Sequence, residues 1–359
     1  MSETASKGQD FESDLSKSNS QVAEFESSRR GFVDKLQHVL HENPALVPLI
    51  VLVMSLGIFA VLVGNKFFSP FALTLILQQV QIVGVLAAAQ SLIILTAGID
   101  LSVGAIAVLC SVVMGQMSFR YGLPASLAIP IGLLAGTLIG AASGWLVARV
   151  KLPPFIVTLG MWQIVLAANY IYSDNETIRS QDIEADAPLL QFFGTQLKVA
   201  GATFTYGVIF MVFLFLLLTY ILRQTAWGRH VYAVGDDPEA AELAGVDVKR
   251  TIISVYAVVG LICGFAAWVM IGRFGSVSPS ATTGVIGNIQ SITAVVIGGI
   301  SLFGGRGSIL GALFGALIVG VFELGLRMYG ADPQWTFLLI GVLIIGATTI
   351  DQWIRKAAA

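Results

Sequence analysis

The sequence predicts an all-α, polytopic membrane protein with about ten transmembrane helices. Three observations carry that expectation. Of 359 residues, 56% are hydrophobic and only 12% charged, where a water-soluble domain carries about a quarter charged residues. Mean hydropathy is +0.83, which needs a non-aqueous solvent. The apolar residues also fall in runs that match the roughly 20 residues a helix uses to cross hydrocarbon.

Ten such runs stand at roughly 44–64, 72–97, 101–119, 123–148, 154–172, 205–222, 251–271, 285–303, 308–329 and 334–350. Glycine and polar residues interrupt them around Gly98–Gly104 and Ser278–Gly287. Irregular backbone at membrane depth is tolerated only against protein or a water-filled path, so these breaks hint at a conduit. Gly132, Gly136, Gly140 and Gly144 recur every four residues, and Gly311 and Gly315 repeat the device. Such stripes let a neighbouring helix approach closely, and they are read as packing alone.

An even number of spans puts both termini on one side. With the N-terminus inside, 14 of the 20 Lys and Arg fall in cytoplasmic segments, while Lys66, Arg120, Arg179, Lys198, Arg273 and Arg327 fall outside. The excess of basic residues on the inner side favours N-in, C-in. Residues 173–204 are then an external, periplasmic loop and residues 223–250 a long cytoplasmic one. Residues 1–43 form a cytoplasmic tail, and 44–356 the membrane domain. The first 30 residues are Ser-, Glu- and Lys-rich without an apolar core, which reads as disorder rather than a secretion signal. Phe32, Leu36, Val39 and Leu40 then fall at helical spacing, which suits either a helix at the membrane surface or a plain lead-in to the first span.

Several functions are excluded by what is missing. The net charge of −2 offers no basic surface for nucleic acid. Cys110 and Cys263 each sit inside apolar runs and read as core residues, and His38, His41 and His230 form no metal constellation with them. The glycine cluster Gly304-Gly305-Arg306-Gly307 lacks the G-x-x-x-x-G-K-[ST] pattern that cradles nucleotide phosphates and Mg²⁺. Neither G-x-S-x-G nor H-E-x-x-H occurs. No catalytic or metal-binding residue is assigned, and any ATP-driven step must take place on a partner.

The cytoplasmic stretch is more telling. In Asp237-Pro238-Glu239-Ala240-Ala241-Glu242-Leu243-Ala244-Gly245, Asp237 can cap free amides, Pro238 suits the first helical position and Gly245 the left-handed residue that closes a helix. A helix of about 7 residues and roughly 10 Å results, too short to span. A mere surface connector is the plain alternative. A second pattern, Gly98-Ile99-Asp100-Leu101-Ser102, is echoed by Gly299-Ile300-Ser301-Leu302 in the other half of the chain. Two halves of five spans would suit a transporter built from repeats, although so short an echo also arises by chance.

Glu239-Ala240-Ala241-x-x-x-Gly245 resembles the loop by which permeases of binding-protein-dependent ABC importers dock on their ATPase. It is joined by the stretches Leu95–Gly104, Pro153–Gly160, Trp227-Gly228-Arg229 and Val296–Gly307. In order and spacing these resemble the ribose, xylose, galactose and fructose permease family of bacterial ABC importers, over roughly residues 45–355, with most overall similarity to the rhizobial-type fructose permeases. The resemblance implies the ABC importer permease fold, two permease copies embedded in membrane lipid, a periplasmic sugar-binding protein and a cytoplasmic ATPase. ATP and Mg²⁺ would sit on that ATPase, with no cofactor in this chain. Asp237, Pro238, Glu239, Ala240, Ala241 and Gly245 would form the coupling contact, with the small face at Ala240 and Ala241 fitting the ATPase.

The chain departs from the family at 286–294. Where such permeases often read E-L-D-A-I-A-A, this one has Asn288-Ile289-Gln290-Ser291-Ile292-Thr293-Ala294, so no acidic role carries over. Asp100 and Ser102, in a glycine-flanked break where charge is expensive unless it faces water or protein, are expected to line the sugar route, or Asp100 to cap the following helix. Asn288 and Gln290 are further pathway candidates because amides suit sugar hydroxyls. Glu323 and Arg327 stand four apart and suggest an intrahelical ion pair. An ion-coupled secondary transporter would need paired intramembrane carboxylates, and a membrane-embedded enzyme a nucleophile–base spacing. Fructose is the preferred cargo by overall similarity, with ribose, mannose and xylose open.

Overall fold

The computed structural model describes residues 45–358, so the tail expected over residues 1–43, with its surface helix, lies outside the described residues. The described chain is helical almost throughout. It runs α1 (Leu46–Val63), a 3₁₀ turn (Gly64–Phe68), α2 (Pro70–Leu95), α3 (Val103–Phe119), α4 (Ala125–Ala148) and α5 (Pro154–Ser173). An insert of short elements follows: α6 (Ser180–Asp186), a 3₁₀ segment (Pro188–Gly194) and the strands β1 (Gln196–Val199) and β2 (Ala202–Thr205). Then come α7 (Tyr206–Gln224), α8 (Ala226–Asp236), α9 (Pro238–Leu243), α10 (Val248–Phe274), α11 (Ala281–Ile297), α12 (Ile309–Tyr329) and α13 (Pro333–Ala358).

The membrane helices correspond to the ten expected runs. Seven (α1 with its 3₁₀ turn, α2, α4, α5, α7, α10 and α12) are long and apolar enough to cross a membrane, and α3, α11 and Gln334–Gly346 within α13 are shorter apolar helices. At 17 residues each, α3 and α11 reach only about 26 Å, short of the roughly 30 Å hydrocarbon core. The run expected at 285–303 is helical only to Ile297, because Gly299 turns left-handed at φ 76°.

Local sequence explains the ends. The Ser69 hydroxyl accepts the Ala72 amide with Pro70 at the first helical position of α2, and Thr205 and Thr225 cap α7 and α8 in the same way. Gly275 and Gly330, at φ 70° and 87°, close α10 and α12, a conformation that costs glycine no Cβ clash.

The helical core is built on backbone contact. A Cβ on Gly136 would lie 2.4 Å from the Gly260 carbonyl oxygen, and one on Gly140 2.2 Å from that of Tyr256. Gly144 meets the Tyr256 side chain and Gly132 meets Met114. The stripe of α4 therefore presses on α10, with its first member against α3. Gly311 and Gly315 do the same against Gly298 and Ala294, seating α12 on α11.

The segment expected as a long loop at 173–204 is instead an ordered cap with its own small core. Ile183 and Leu190 are fully buried, Phe193 packs edge-on to Trp268, and β1 pairs antiparallel with β2 from Gln196 opposite Thr205 to Val199 opposite Ala202. The Ile178–Val277 bridge and the Thr203 amide donating to Thr74 Oγ1 at 2.7 Å bind it to the bundle. Arg120 pairs with Asp174, whose hydrogen bond and charge hold the guanidinium above its ordinary range.

The packing reading of the glycines can be checked directly. Gly140→Ala should lower the thermal midpoint of the purified protein, at a cost of roughly 1–3 kcal/mol for overpacking. Gly160→Ala, at a helical position with nothing within 4 Å, should leave it unchanged or raise it. Equal midpoints for the two variants would refute the assignment.

Candidate functional site

The break between α2 and α3 is a woven turn. α2 closes with the Gly98 amide donating to Ile93 O and the Ala97 amide to Ile94 O, with Ala97 left-handed at φ 59°. α11 closes identically, Ile300 N–H to Val295 O and Gly299 N–H to Val296 O. The helix-ending device thus pairs Ala97 with Gly299, one residue out of step with the sequence echo. Two residues further on the echo holds in register: the Asp100 carboxylate accepts the Ser102 amide at 2.7 Å, and the Ser301 hydroxyl accepts the Phe303 amide at 3.3 Å.

Asp100 is 1% exposed. Its Oδ1 also accepts the Ser102 hydroxyl at 2.6 Å. Asp100 therefore does not cap α3 directly, since the N-cap is Ser102, which contributes no side-chain cap because its hydroxyl is turned back to Asp100. The missing cap comes from α11. Asn288 Oδ1 accepts the Gly104 amide at 3.2 Å, and its Nδ2 donates to Leu101 O. A Cβ on Gly104 would lie 2.1 Å from Gly284 O, so only glycine lets α11 come this near. The Thr158 hydroxyl of α5 donates to Ile99 O at 3.1 Å, and Asn169 Nδ2 to Pro279 O at 2.9 Å.

The four pathway candidates thus split. Asp100, Ser102 and Asn288 share the turn, with Asp100 Oδ1, the Ser102 hydroxyl and both polar atoms of the Asn288 amide in hydrogen bonds. Gln290 points elsewhere, into a second cluster centred on Glu323. That carboxylate, 19% exposed, accepts Gln79 Nε2 at 3.1 Å, Gln290 Nε2 at 3.3 Å and Arg327 Nη2 at 3.3 Å. The expected Glu323–Arg327 pair is present, and it also binds α2 and α11 to α12. Sequence reading missed Gln79, as it missed Gln90, which is fully buried. The available signal was the set of amides at Gln78, Gln79, Gln81 and Gln90 along one apolar helix.

On the coupling-loop candidate, Asp237 Oδ1 accepts the Glu239 and Ala240 amides at 2.9 and 3.0 Å, Pro238 opens α9, and Gly245 is left-handed at φ 88°. The helix ends at Leu243, one residue earlier than expected. One expectation needs correcting: Ala241 is 4% exposed, because α9 packs that side against α8 and α10. The outward face is Glu239, Ala240, Glu242 and Leu243, and Leu243 is 91% exposed. An apolar residue in a hydrophilic, capped turn was the sequence signal for it.

Asn288 ties two helices through buried backbone groups, so Asn288→Ala should destabilise the purified protein by about 1–3 kcal/mol, the penalty for groups left unpaired. Ser102→Ala, which leaves Asp100 its bond to the Ser102 amide, should cost less. Thermal unfolding that ranks Ser102→Ala as the worse variant would refute the trans-cap.

Comparison with known proteins places this architecture. Residues 72–348 match the family described as the permease component of the branched-chain amino acid transport system. The chain is 65% identical to a fructose import permease protein of Rhizobium meliloti, over 99% of this chain and 98% of that one. It is 34% identical to a ribose import permease protein of Escherichia coli K12, over 87% and 94%, and 32% identical to the xylose transport system permease protein of the same strain, over 78% and 84%. No solved structure matches it. With its bundle of apolar helices and these relatives, the chain is a multi-pass inner-membrane protein and belongs to this family of transport-system permeases.

Proposed function

We propose that the chain is the membrane-spanning subunit of a binding-protein-dependent ABC importer that carries a monosaccharide inward, fructose before ribose, mannose or xylose. The sugar assignment rests on the import permeases it resembles, above all the fructose import permease that matches nearly its full length. A periplasmic sugar-binding protein delivers the cargo to the ordered cap at 173–204. A second copy of this chain completes the central path within the lipid. ATP and Mg²⁺ bind a separate cytoplasmic ATPase, and residues 1–43 are a cytoplasmic tail ahead of the permease domain at 44–356. Both termini face the cytoplasm, as the segregation of Lys and Arg supports.

The observation that carries the reading is α9. A helix of 6 residues is too short to stand alone, yet its cap is complete and its one large apolar side chain stands in water. A docking partner would take this side chain out of water, at a gain of about 1.5–3 kcal/mol for full burial. Glu239 and Ala240 flank it, Asp237 and Pro238 fix its start, and Gly245 reverses the chain without Cβ strain. Ala241 supports α9 from beneath. Transport then proceeds by alternating access, in which ATP-driven movement of α9 rearranges the helix breaks. Asp100, Ser102 and Asn288 at the turn, and Gln290 in the cluster on Glu323, supply the polar lining of the route as their present hydrogen bonds exchange for sugar hydroxyls.

Two experiments test this. Leu243→Asp and Gly245→Val should insert and fold normally, while binding of the ATPase falls by about tenfold or more, the size of a hot-spot loss, and fructose uptake falls with it. Undiminished association and uptake in both variants would sink the coupling assignment, and uptake of leucine but not fructose in the intact complex would sink the sugar assignment. For sidedness, Asp182→Cys and Glu242→Cys are placed singly in a background lacking Cys110 and Cys263. An impermeant thiol reagent should label only the first in intact cells, and the reverse pattern would overturn the topology.

A further inference from the structure

Three segments distant in sequence meet without side chains between them. The last turn of α8 carries Gly235, where a Cβ would lie 1.8 Å from Leu95 O and 2.7 Å from Gly305 N. Leu95 is the last residue of α2, and its carbonyl, one of the acceptors a helix C-terminus leaves open, takes the Gly305 amide at 3.0 Å. A Cβ on Gly304 would lie 2.5 Å from Gly235 O and 2.8 Å from the Ala97 side chain, and one on Gly305 2.7 Å from Asp236 Cα. Gly304 and Gly305 are also left-handed, at φ 80° and 67°. The Tyr232 hydroxyl of α8 donates to Gly307 O at 3.0 Å. Burial pushes this hydroxyl up from its ordinary value, which keeps it a donor.

The position of this junction matters. Gly235 and Asp236 lead directly into Asp237, the cap of α9. Leu95 and Ala97 end the helix before the first break, and Gly304, Gly305 and Gly307 lie in the second, between α11 and α12. Any displacement of α9 along α8 therefore reaches both breaks at one point, mostly through backbone atoms. Asn288 then links the same two halves a second time, from α11 to the start of α3. A contact of bare backbone shifts without rotamer changes, and two discrete arrangements of packed elements are what carry coupling between distant sites.

We propose that Gly235, Gly304 and Gly305, steadied by the Tyr232–Gly307 bond, form a bearing that converts movement of α9 into simultaneous movement of both membrane helix breaks. Gly235 and Tyr232 are thus positioning residues for coupling. This rests on the reading of α9 as the ATPase contact, but it concerns transmission beyond that contact. Binding of the ATPase and use of its ATP should therefore come apart in these variants.

The test uses the full complex with its ATPase and binding protein, reconstituted in vesicles with D-fructose and measured for ATP hydrolysed per sugar moved. Tyr232→Phe removes one hydrogen bond and no volume. It should raise the ATP-to-fructose ratio by about threefold, the size of one such bond, with ATPase co-purification and the permease melting temperature at wild-type values. Gly235→Ala should uncouple more strongly, with the ATPase still bound. A wild-type ratio in Tyr232→Phe overturns the bearing whether or not Gly235→Ala folds. A lowered melting temperature with an unchanged ratio reduces Tyr232 to structural support and overturns it as well. Loss of ATPase binding in Tyr232→Phe moves the defect to the docking surface, leaving the α9 reading intact and the bearing refuted.

Discussion

Hydrocarbon offers no hydrogen bonds, so every backbone amide and carbonyl inside the membrane needs a partner from the protein itself. Regular helices meet that demand internally, but between α2 and α3 and between α11 and α12 the chain leaves the helical path against the bundle. Everything specific about the interior follows from repairing those breaks. Leu95 O is satisfied by Gly305, Ile99 O by Thr158, Leu101 O and the Gly104 amide by Asn288, and the Ser102 amide by Asp100. The repairs come from α5, from α11 and from the loop before α12. A helix break here is a place where distant parts of the chain are obliged to meet.

The same demand explains the glycines. Helices in lipid gain nothing from hiding apolar surface from one another, so close van der Waals contact has to hold them. α4 and α10 meet where backbone faces backbone, at Gly136 against Gly260 and at Gly140 against Tyr256. The polar cluster on Glu323 adds a different kind of tie, a carboxylate held by donors from α2, α11 and its own helix. Packing fixes the scaffold, while exchangeable hydrogen bonds concentrate where the helices are interrupted. That division gives a transporter rigid bodies and deformable joints in the same bundle.

Much of this was readable from the sequence, because membrane insertion leaves a plain trace. Run length gave the spans, the four-residue glycine period gave the packing faces, and the Asp-Pro…Gly punctuation gave α9 to within one residue. What stayed hidden depends on tertiary partners. The segment at 173–204 reads as a polar loop by composition, yet Ile183, Leu190 and Phe193 anchor an ordered cap, because a few apolar residues suffice once Trp268 lies beneath them. That Asn288 bonds the start of α3 could not be read from the sequence, because its partners stand 184 and 187 residues away. The inward orientation of Ala241 and the exposure of Leu243 depend on how α9 leans on α8, and a helix of two turns shows no periodicity from which to read that.

The cap that Asn288 places on α3 has a consequence for how the protein is made. Gly104 and Asn288 are separated by 184 residues. At the roughly 5–20 residues per second of synthesis, α3 leaves the ribosome about 10–40 seconds before its partner exists. Through that interval a short helix with an open first turn sits in or beside the bilayer, unable to settle. The Gly104 amide therefore gains its Asn288 partner only once α11 has been made. That closure comes late, with only α12 and α13 still to follow, and a chain truncated before α11 would leave the membrane holding an unfinished fold.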